Sequence, residues 1–156
     1  MKICSHKAAA TLLTENTKKY DVILITNAFG KYDDEEHLNA ICQHGNRICH
    51  LIFDDIEFPR DRHLMPELHH VQSAINFAAG KEELIVTCTA GKGRSAALAY
   101  VIACSKLEPA EAIKILDPKQ HIPNEKVIFL GNRILGKPNL LSEYALFKDK
   151  LPEPGL

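Results

Sequence analysis

A cysteine and an arginine flank a short loop rich in small residues. Cys88 is followed, after residues 89–93, by Arg94 and Ser95. Alanine and glycine within the loop allow a tight turn and leave backbone N–H groups unobstructed. Such a loop leading into a helix gathers donors for an anion, and an arginine adds a planar two-pronged grip on phosphate oxygens. The same positive surroundings favour the thiolate form of Cys88, and a thiolate beneath a bound phosphate is a nucleophile aimed at phosphorus.

Two other interpretations of this loop fit the residues less well. A nucleotide-binding Walker A loop needs a glycine, four residues, and then Gly-Lys followed by serine or threonine. Here Gly91-Lys92 is followed by Gly93, and Val86 stands where the first glycine is required. A buried cysteine with no chemical role is common in proteins. That interpretation leaves the placement of the glycines, arginine and serine unexplained.

The run Cys-x5-Arg-Ser, after a β-branched strand and before an apolar helix, resembles the signature of the cysteine-dependent protein tyrosine phosphatases. The length of the chain is similar to that of the small dual-specificity-like members of this family. The resemblance implies that Cys88 is the nucleophile and that Ser95 donates to its sulfur when the phosphocysteine intermediate breaks down. The family usually has a histidine before the cysteine, whereas this chain has Thr87, whose hydroxyl we expect to replace it only in part. The implied phosphate-binding residues are Thr89, Ala90, Gly91, Lys92, Gly93 and Arg94.

A thiolate that displaces an alkoxide or phenoxide needs an acid to protonate the leaving oxygen. In the small phosphatases this aspartate follows a strand with an apolar-x-apolar-x-Asp pattern, upstream of the cysteine. Residues 51–55 match, with Asp55 at 88 − 55 = 33 positions before Cys88, and the Phe-Asp-Asp run resembles the acid loop of some prenylated-type phosphatases. Asp55 is therefore the first candidate. Asp54, on the other face of an extended segment, and Asp61 stay open.

Two further stretches carry softer resemblances. Pro123-Asn124 is similar to a pair that, in this family, ties a later helix to the signature loop, so Asn124 is expected to brace the loop from outside. Residues 123–136 also resemble predicted tyrosine phosphatases of bacteria, which implies a bacterial, cytoplasmic protein. The loop sequence Ala-Gly-Lys-Gly-Arg, which contains Lys92, resembles that of lipid phosphatases that cleave 3-phosphoinositides.

The elements that must position these residues alternate between strands and helices. This order predicts an α/β fold with a central, mostly parallel sheet of four to five strands and helices on both faces, like that of the protein tyrosine phosphatases. Ligand sites in such sheets lie at the carboxyl ends of the strands, where Cys88 falls. The predicted strands span 2–4, 21–26, 47–53 and 84–86, and the predicted helices 7–13, 37–43, 67–79, 96–104, 108–116, 123–135 and 140–147.

Length and composition set further bounds. The 156 residues, 46% hydrophobic and 25% charged, predict one globular domain over 1–156. A net charge of −1 does not indicate binding to nucleic acid or to a membrane surface. The apolar run near residue 10 is too short and too polar for a secretory signal, and no run is long enough to span a membrane, so we expect neither. Five cysteines without a compact spacing indicate reduced thiols in a cytoplasmic protein. Neither Cys42-x-His44 nor Cys49-His50 matches a zinc motif, and thiolate chemistry on phosphate needs no metal or cofactor.

The sequence therefore predicts a phosphomonoester hydrolase, most simply a tyrosine or dual-specificity phosphatase acting through a phosphocysteine intermediate. Its partner would be a phosphorylated protein or a small phosphoester. Two alternatives stay open: a catalytically weak protein that only binds phosphorylated partners, because of Thr87, and a phosphatase for phosphoinositides or other polyphosphorylated small molecules, because of Lys92. The sequence does not indicate the oligomeric state.

Overall fold

The computed structural model describes residues 1–30 and 32–153, and its centre is a four-stranded sheet. All strand pairs are parallel, and the strand order is β1-β4-β2-β3. The predicted α/β architecture with a parallel sheet is thus confirmed. The strands are β1 (Lys2–Ser5), β2 (Asp21–Thr26), β3 (Ile48–Ile52) and β4 (Leu84–Cys88).

Seven α-helices surround the sheet in the described part of the chain. The predicted helix over 108–116 is a single α-helical turn followed by a 3₁₀ segment, Ile113–Ile115, ahead of Pro118, which disfavours helix in the residue before it. The helices are α1 (His6–Glu15), α2 (Glu35–His44), α3 (Leu68–Ala78), α4 (Arg94–Lys106), α5 (Pro109–Ala112), α6 (Glu125–Leu135) and α7 (Leu140–Lys148).

Alternating side chains of the strands build two cores. Val22, Leu24 and Ile85 point to the face covered by α1 and α2, while Ile23 and Val86 point to the face covered by the other helices. The second core is the larger because α4 lies inside it, and residues 94–104 of α4 are all buried. A helix that is apolar on every side must be enclosed. Packing on all sides therefore fixes the position of α4.

Side-chain caps set the starts of the helices that border the site. Ser5 accepts from the backbone N–H of Ala8 at the start of α1, and Asp34 accepts from two N–H groups at the start of α2. Asn124 caps α6 by accepting from Val127. Within the described residues, no helix combines the length and the apolar character needed to cross a membrane.

Candidate active site

The sulfur of Cys88 lies at the carboxyl end of the central strand β4. The residue is 2% exposed, and its Sγ is 3.1 Å from Ser95 Oγ in the first turn of α4. Strand and helix meet here through residues 89–93, so the sulfur lies below the start of a helix. A hydroxyl at this distance can donate to a thiolate and stabilise its negative charge.

The backbone of the loop is held from outside by residues 122–124. Ile122 N–H donates to the Lys92 carbonyl (2.9 Å), and Asn124 N–H donates to the Gly93 carbonyl (3.1 Å). In a trans peptide the next N–H points away from the carbonyl, so the N–H groups of Gly93 and Arg94 point away from this segment. The backbone N–H groups of residues 90–94 donate to no residue in the described part of the chain. The loop therefore offers unused donors at a helix start.

Gly91 is required by the fit of the loop against β1. It adopts φ 70°, in the left-handed region, and a Cβ at this position would overlap the backbone of Cys4 and Ser5. The signature loop therefore packs directly on the end of the edge strand. A side chain at position 91 would push the loop away from it.

Arg94 is buried and only partly satisfied by protein atoms. Its side chain donates to the Phe53 carbonyl (Nη1, 2.8 Å) and to Thr89 Oγ1 (Nη2, 3.2 Å). Its Nε–H is buried and has no hydrogen-bond partner among the described residues. A buried donor on a charged group is costly to leave unpaired, so this guanidinium is matched to an acceptor that the protein does not supply.

Asp55 reaches the loop from the segment after β3. Its Oδ1 accepts from Asn124 Nδ2 (2.9 Å), and a Cβ built on Gly93 would lie 2.5 Å from its Oδ2. Asn124 is 2% exposed, and its Nδ2 also donates to the Ile56 carbonyl (3.1 Å). Asn124 thus connects α6, the acid segment and the signature loop in one place.

The other two candidate acids lie elsewhere. Asp54 is buried and accepts from the backbone N–H groups of Ala28 (3.2 Å) and Leu64 (2.6 Å), so both of its oxygens hold loops together. Asp61 is exposed, and its backbone carbonyl accepts from the His63 ring. Neither contacts the signature loop through a hydrogen bond among the described residues.

Thr87 points to the face opposite Cys88. It is fully buried, pairs in register with Cys4 and Leu24, and its hydroxyl has no hydrogen-bond partner in the described part of the chain. The Thr87 hydroxyl therefore holds the loop through no hydrogen bond within the described residues.

A cluster that the sequence did not indicate lies beside the loop. The side chain of Asp33 is 4% exposed, and it accepts from Thr89 Oγ1 (2.8 Å) and from both the backbone and side-chain N–H groups of Asn27 (2.8 and 3.1 Å). His6 lies behind it, 2% exposed, with its Nδ1 3.6 Å from Asp33 Oδ1 and its Nε2 2.8 Å from the Ile25 carbonyl. Burial lowers the pKa of His6 below its usual value.

Comparison with known proteins finds similarity in structure alone. No protein-family model matches the sequence, and no curated protein sequence is significantly similar to it. The structure of Tk-PTP in its active form superposes with a TM-score of 0.57 and 13% identity, over 88% of this chain and 90% of that one. PTPMT1, solved in complex with PI(5)P, superposes with a TM-score of 0.50 and 14% identity, over 93% and 90%. The chain has the protein tyrosine phosphatase fold.

A third structure agrees with this assignment. A DUF442 protein from Shewanella putrefaciens CN-32 superposes with a TM-score of 0.51 and 15% identity, over 86% of this chain and 82% of that one. At such identities the likeness establishes the fold and leaves the chemistry to this chain's own residues. The fold predicted from the signature loop is confirmed.

Within the protein tyrosine phosphatase fold, every strand of this sheet ends at the site. Cys88 is the last residue of β4, Asp55 and Asp33 lie on the segments after β3 and β2, and His6 directly follows β1. The predicted residues Cys88, Arg94, Ser95, Asp55 and Asn124 are brought together, whereas Asp54 and Asp61 are not. The rule that sites lie at the carboxyl ends of parallel strands points to the segments after β1 and β2, but it does not single out His6 or Asp33 within them. No motif marks them. Among the described residues, no group of three or more potential ligands is arranged to hold a metal ion.

Proposed function

We propose that this protein is a phosphomonoester hydrolase that acts through a phosphocysteine intermediate. The observation that carries the proposal is the buried Nε–H of Arg94, which has no protein acceptor among the described residues and lies in the same loop as the Cys88 sulfur. The unused N–H groups of residues 90–94 add donors for the same anion. A tetrahedral oxyanion bound above a thiolate fits this set of donors.

The chemistry divides into two displacements. In the first, the Cys88 thiolate attacks phosphorus, the bond from phosphorus to the ester oxygen breaks, and that oxygen keeps the electron pair and takes a proton from Asp55. In the second, Asp55 accepts a proton from water, the water oxygen attacks phosphorus, and the sulfur leaves as thiolate. Ser95, 3.1 Å from the sulfur, donates a hydrogen bond that stabilises this leaving thiolate. Arg94 and the loop N–H groups stabilise the charge on the phosphoryl oxygens in both steps.

The proposed substrates are aromatic phosphoesters such as phosphotyrosine, because exposed rings lie on two loops next to the site. Phe29 and Tyr32, on the loop after β2, and Phe58, on the loop after β3, are 75%, 86% and 78% exposed. These loops carry Asp33 and Asp55. A surface depression runs along residues 55–60 beside the acid. Exposed rings of this kind stack on an aromatic leaving group, and such pairs contribute about 0.5–1.5 kcal/mol.

Two alternative functions have specific support. The lysine of the loop, Lys92, is exposed and can meet a second phosphate, and the similar protein PTPMT1 has been solved with PI(5)P. A polyphosphorylated substrate is therefore the second candidate. A protein that binds phosphorylated partners without turnover is the third, because the Thr87 hydroxyl does not hold the loop.

Cys88→Ser tests the proposal. A hydroxyl at neutral pH is a far weaker nucleophile than a thiolate, so hydrolysis of 4-nitrophenyl phosphate should disappear while phosphate binding is kept. Wild-type binding without hydrolysis of aryl phosphates or phosphoinositides would support the binding protein. Turnover by Cys88→Ser close to the wild-type rate would contradict the covalent mechanism. Preference for a soluble phosphoinositide over an aryl phosphate, lost in Lys92→Gln, would identify the second candidate.

A further inference from the structure

A carboxylate from the loop after β2 holds the signature loop by its first residue. Asp33 Oδ1 accepts the hydroxyl proton of Thr89 at 2.8 Å. With its proton committed to Asp33, Thr89 Oγ1 accepts from Arg94 Nη2 at 3.2 Å. The orientation of Arg94 therefore depends on Asp33 through the Thr89 hydroxyl, although Arg94 and Asp33 share no hydrogen bond.

The carboxylate itself is fixed on both oxygens. Asn27 donates to Oδ2 through its backbone N–H (2.8 Å) and to Oδ1 through its side chain (3.1 Å), and its side chain also donates to Thr89 Oγ1 (3.2 Å). The two contacts of Asn27 with Asp33, like that of Thr89, bring a donor to an Asp33 oxygen. An amide in its place would present an NH₂ group to a donor on one side or the other, so asparagine cannot reproduce the arrangement.

His6 closes the space behind this carboxylate. Its Nε2 lies 2.8 Å from the Ile25 carbonyl, so Nε2 carries the hydrogen, and the neutral ring presents a lone pair from Nδ1 towards Asp33. The ring thus does not compete with Thr89 for a hydrogen bond to Asp33. Its other charged neighbours are Arg94 and, on α2, His37.

We infer that Asp33, backed by His6, is the positioning residue of this site and holds Thr89 and Arg94 in the place of the histidine that Thr87 replaces. Thr87 has no hydrogen-bond partner among the described residues, whereas the Asp33 carboxylate accepts from Thr89, two residues further along the chain. This inference rests on the proposed function, because it assigns the support for its arginine.

The direction in which anion binding changes when Asp33 is substituted distinguishes a positioning role from a purely electrostatic one. Asp33 is an anion beside an anion site, so removing its charge alone would tighten phosphate binding. Loss of the support has the opposite effect because Arg94 is then free to move. For Asp33→Asn we expect kcat for 4-nitrophenyl phosphate to fall by about 10- to 100-fold, the range for one hydrogen bond to a charged group, with KM changing much less. Vanadate should bind more weakly by a similar factor.

The matched control is Asp34→Asn, which removes the same charge one residue away and keeps the ability to cap α2. It should leave vanadate affinity unchanged or slightly tighter. Thr89 tests the same connection from its other end, without altering Asp33: Thr89→Val should match Asp33→Asn, and Thr89→Ser, which keeps the hydroxyl, should restore most of the activity. In a double-mutant cycle, Asp33→Asn should add little to Thr89→Val.

The outcomes distinguish the role of Asp33 from the proposed phosphatase activity. Tighter or unchanged vanadate binding by Asp33→Asn, or full additivity with Thr89→Val, would overturn the positioning role even if the enzyme is active. Vanadate binding without any turnover by the wild type would overturn the proposed function, and the binding measurements would still decide the role of Asp33. If Asp33→Asn fails to fold, equal vanadate binding by Thr89→Ser and Thr89→Val would overturn the inference.

Discussion

Gly93 and Asp55 are in a contact that leaves no space for a side chain on the loop. A Cβ at position 93 would lie 2.5 Å from Asp55 Oδ2 and 3.0 Å from Oδ1. The backbone of Gly93, at φ −105°, is one that other residues adopt without strain. The glycine is therefore needed for the approach of the carboxylate and not for the backbone conformation.

Gly93→Ala should consequently displace Asp55 and leave the fold intact. We expect kcat to fall by a factor close to that of Asp55→Asn, about 10²–10⁴ for loss of a general acid, while the urea midpoint changes little. Steady-state kinetics with phenyl phosphate, whose leaving oxygen needs a proton, and urea unfolding measure the two quantities. In the Asp55→Asn background, Gly93→Ala should have almost no further effect on kcat. A full additional loss there would mean that the methyl group acts on the loop and not on the acid.

Asp55→Asn should impair catalysis, whereas Asp54→Asn should mainly lower stability. If Asp55 protonates the leaving oxygen, Asp55→Asn should slow phenyl phosphate far more than 4-nitrophenyl phosphate, whose leaving group needs no proton. Asp54 holds the N–H groups of Ala28 and Leu64, so Asp54→Asn should lower the free energy of unfolding by about 1–3 kcal/mol without this dependence on the leaving group.

Kinetics on both esters, with urea unfolding for each variant, separate these roles. A leaving-group dependence that appears in Asp54→Asn and not in Asp55→Asn would reverse the assignment. Asp61→Asn is the third arm: Asp61 is exposed and contacts the loop through no hydrogen bond in the described residues. A strong leaving-group effect in that variant alone would identify Asp61 as the acid.

The part of the site that could be predicted is the part that is contiguous in sequence. Cys88, Arg94 and Ser95 all fall within residues 88–95, and their spacing is set by local geometry that any sequence with this turn must share. The end of β2 could be predicted because Asp21–Thr26 is rich in β-branched residues and apolar at four successive positions. The parallel sheet followed from the alternation of elements.

Asp33 could not be predicted because its role depends on tertiary packing. It stands in an acidic run, 33–36, which in sequence is typical of a solvated helix start. The next residue, Asp34, does cap α2, while Asp33 turns inward to Thr89. Only the register of β2 against β4 brings the ends of these strands together, and register is not visible in single-residue patterns.

Helices α4 and α6 also approach each other closely at a glycine. Gly131 on α6 faces Val101 on α4, and a Cβ at position 131 would overlap both methyl groups of the valine. Alanine is favoured over glycine in helices by about 1 kcal/mol, yet overpacking in a rigid core costs about 1–3 kcal/mol. Gly131→Ala should therefore lower stability in urea unfolding. Adding Val101→Ala should recover part of the loss, and strict additivity of the two changes would contradict this packing argument.

Two buried histidines near the site act as acceptors and must be neutral to do so. His70 Nδ1 accepts from the backbone N–H of Glu67 at the start of α3 (3.0 Å), and His121 Nδ1 accepts from the backbone N–H of Asp117 (2.9 Å). Burial lowers the pKa of both rings below the usual value of about 6.5. A proton on either Nδ1 would replace the hydrogen bond with a contact between two donors.

Stability should therefore fall as the pH drops below about 6.5, the value for a histidine in the unfolded chain. Below that pH the unfolded chain takes up protons that the folded rings still refuse, so each ring lowers the free energy of unfolding by at most about 1.4 kcal/mol per pH unit until its folded-state pKa is passed. Above that pH the contribution of both rings is fully present. Urea midpoints at pH 7.5 and 5.5 measure the loss. His121→Asn keeps an acceptor oxygen where Nδ1 stands and cannot be protonated, so it should reduce the difference between the two midpoints, whereas His44→Gln, at the exposed end of α2, should not. An equal difference in His121→Asn and wild type would show that His121 takes up its proton equally in both states.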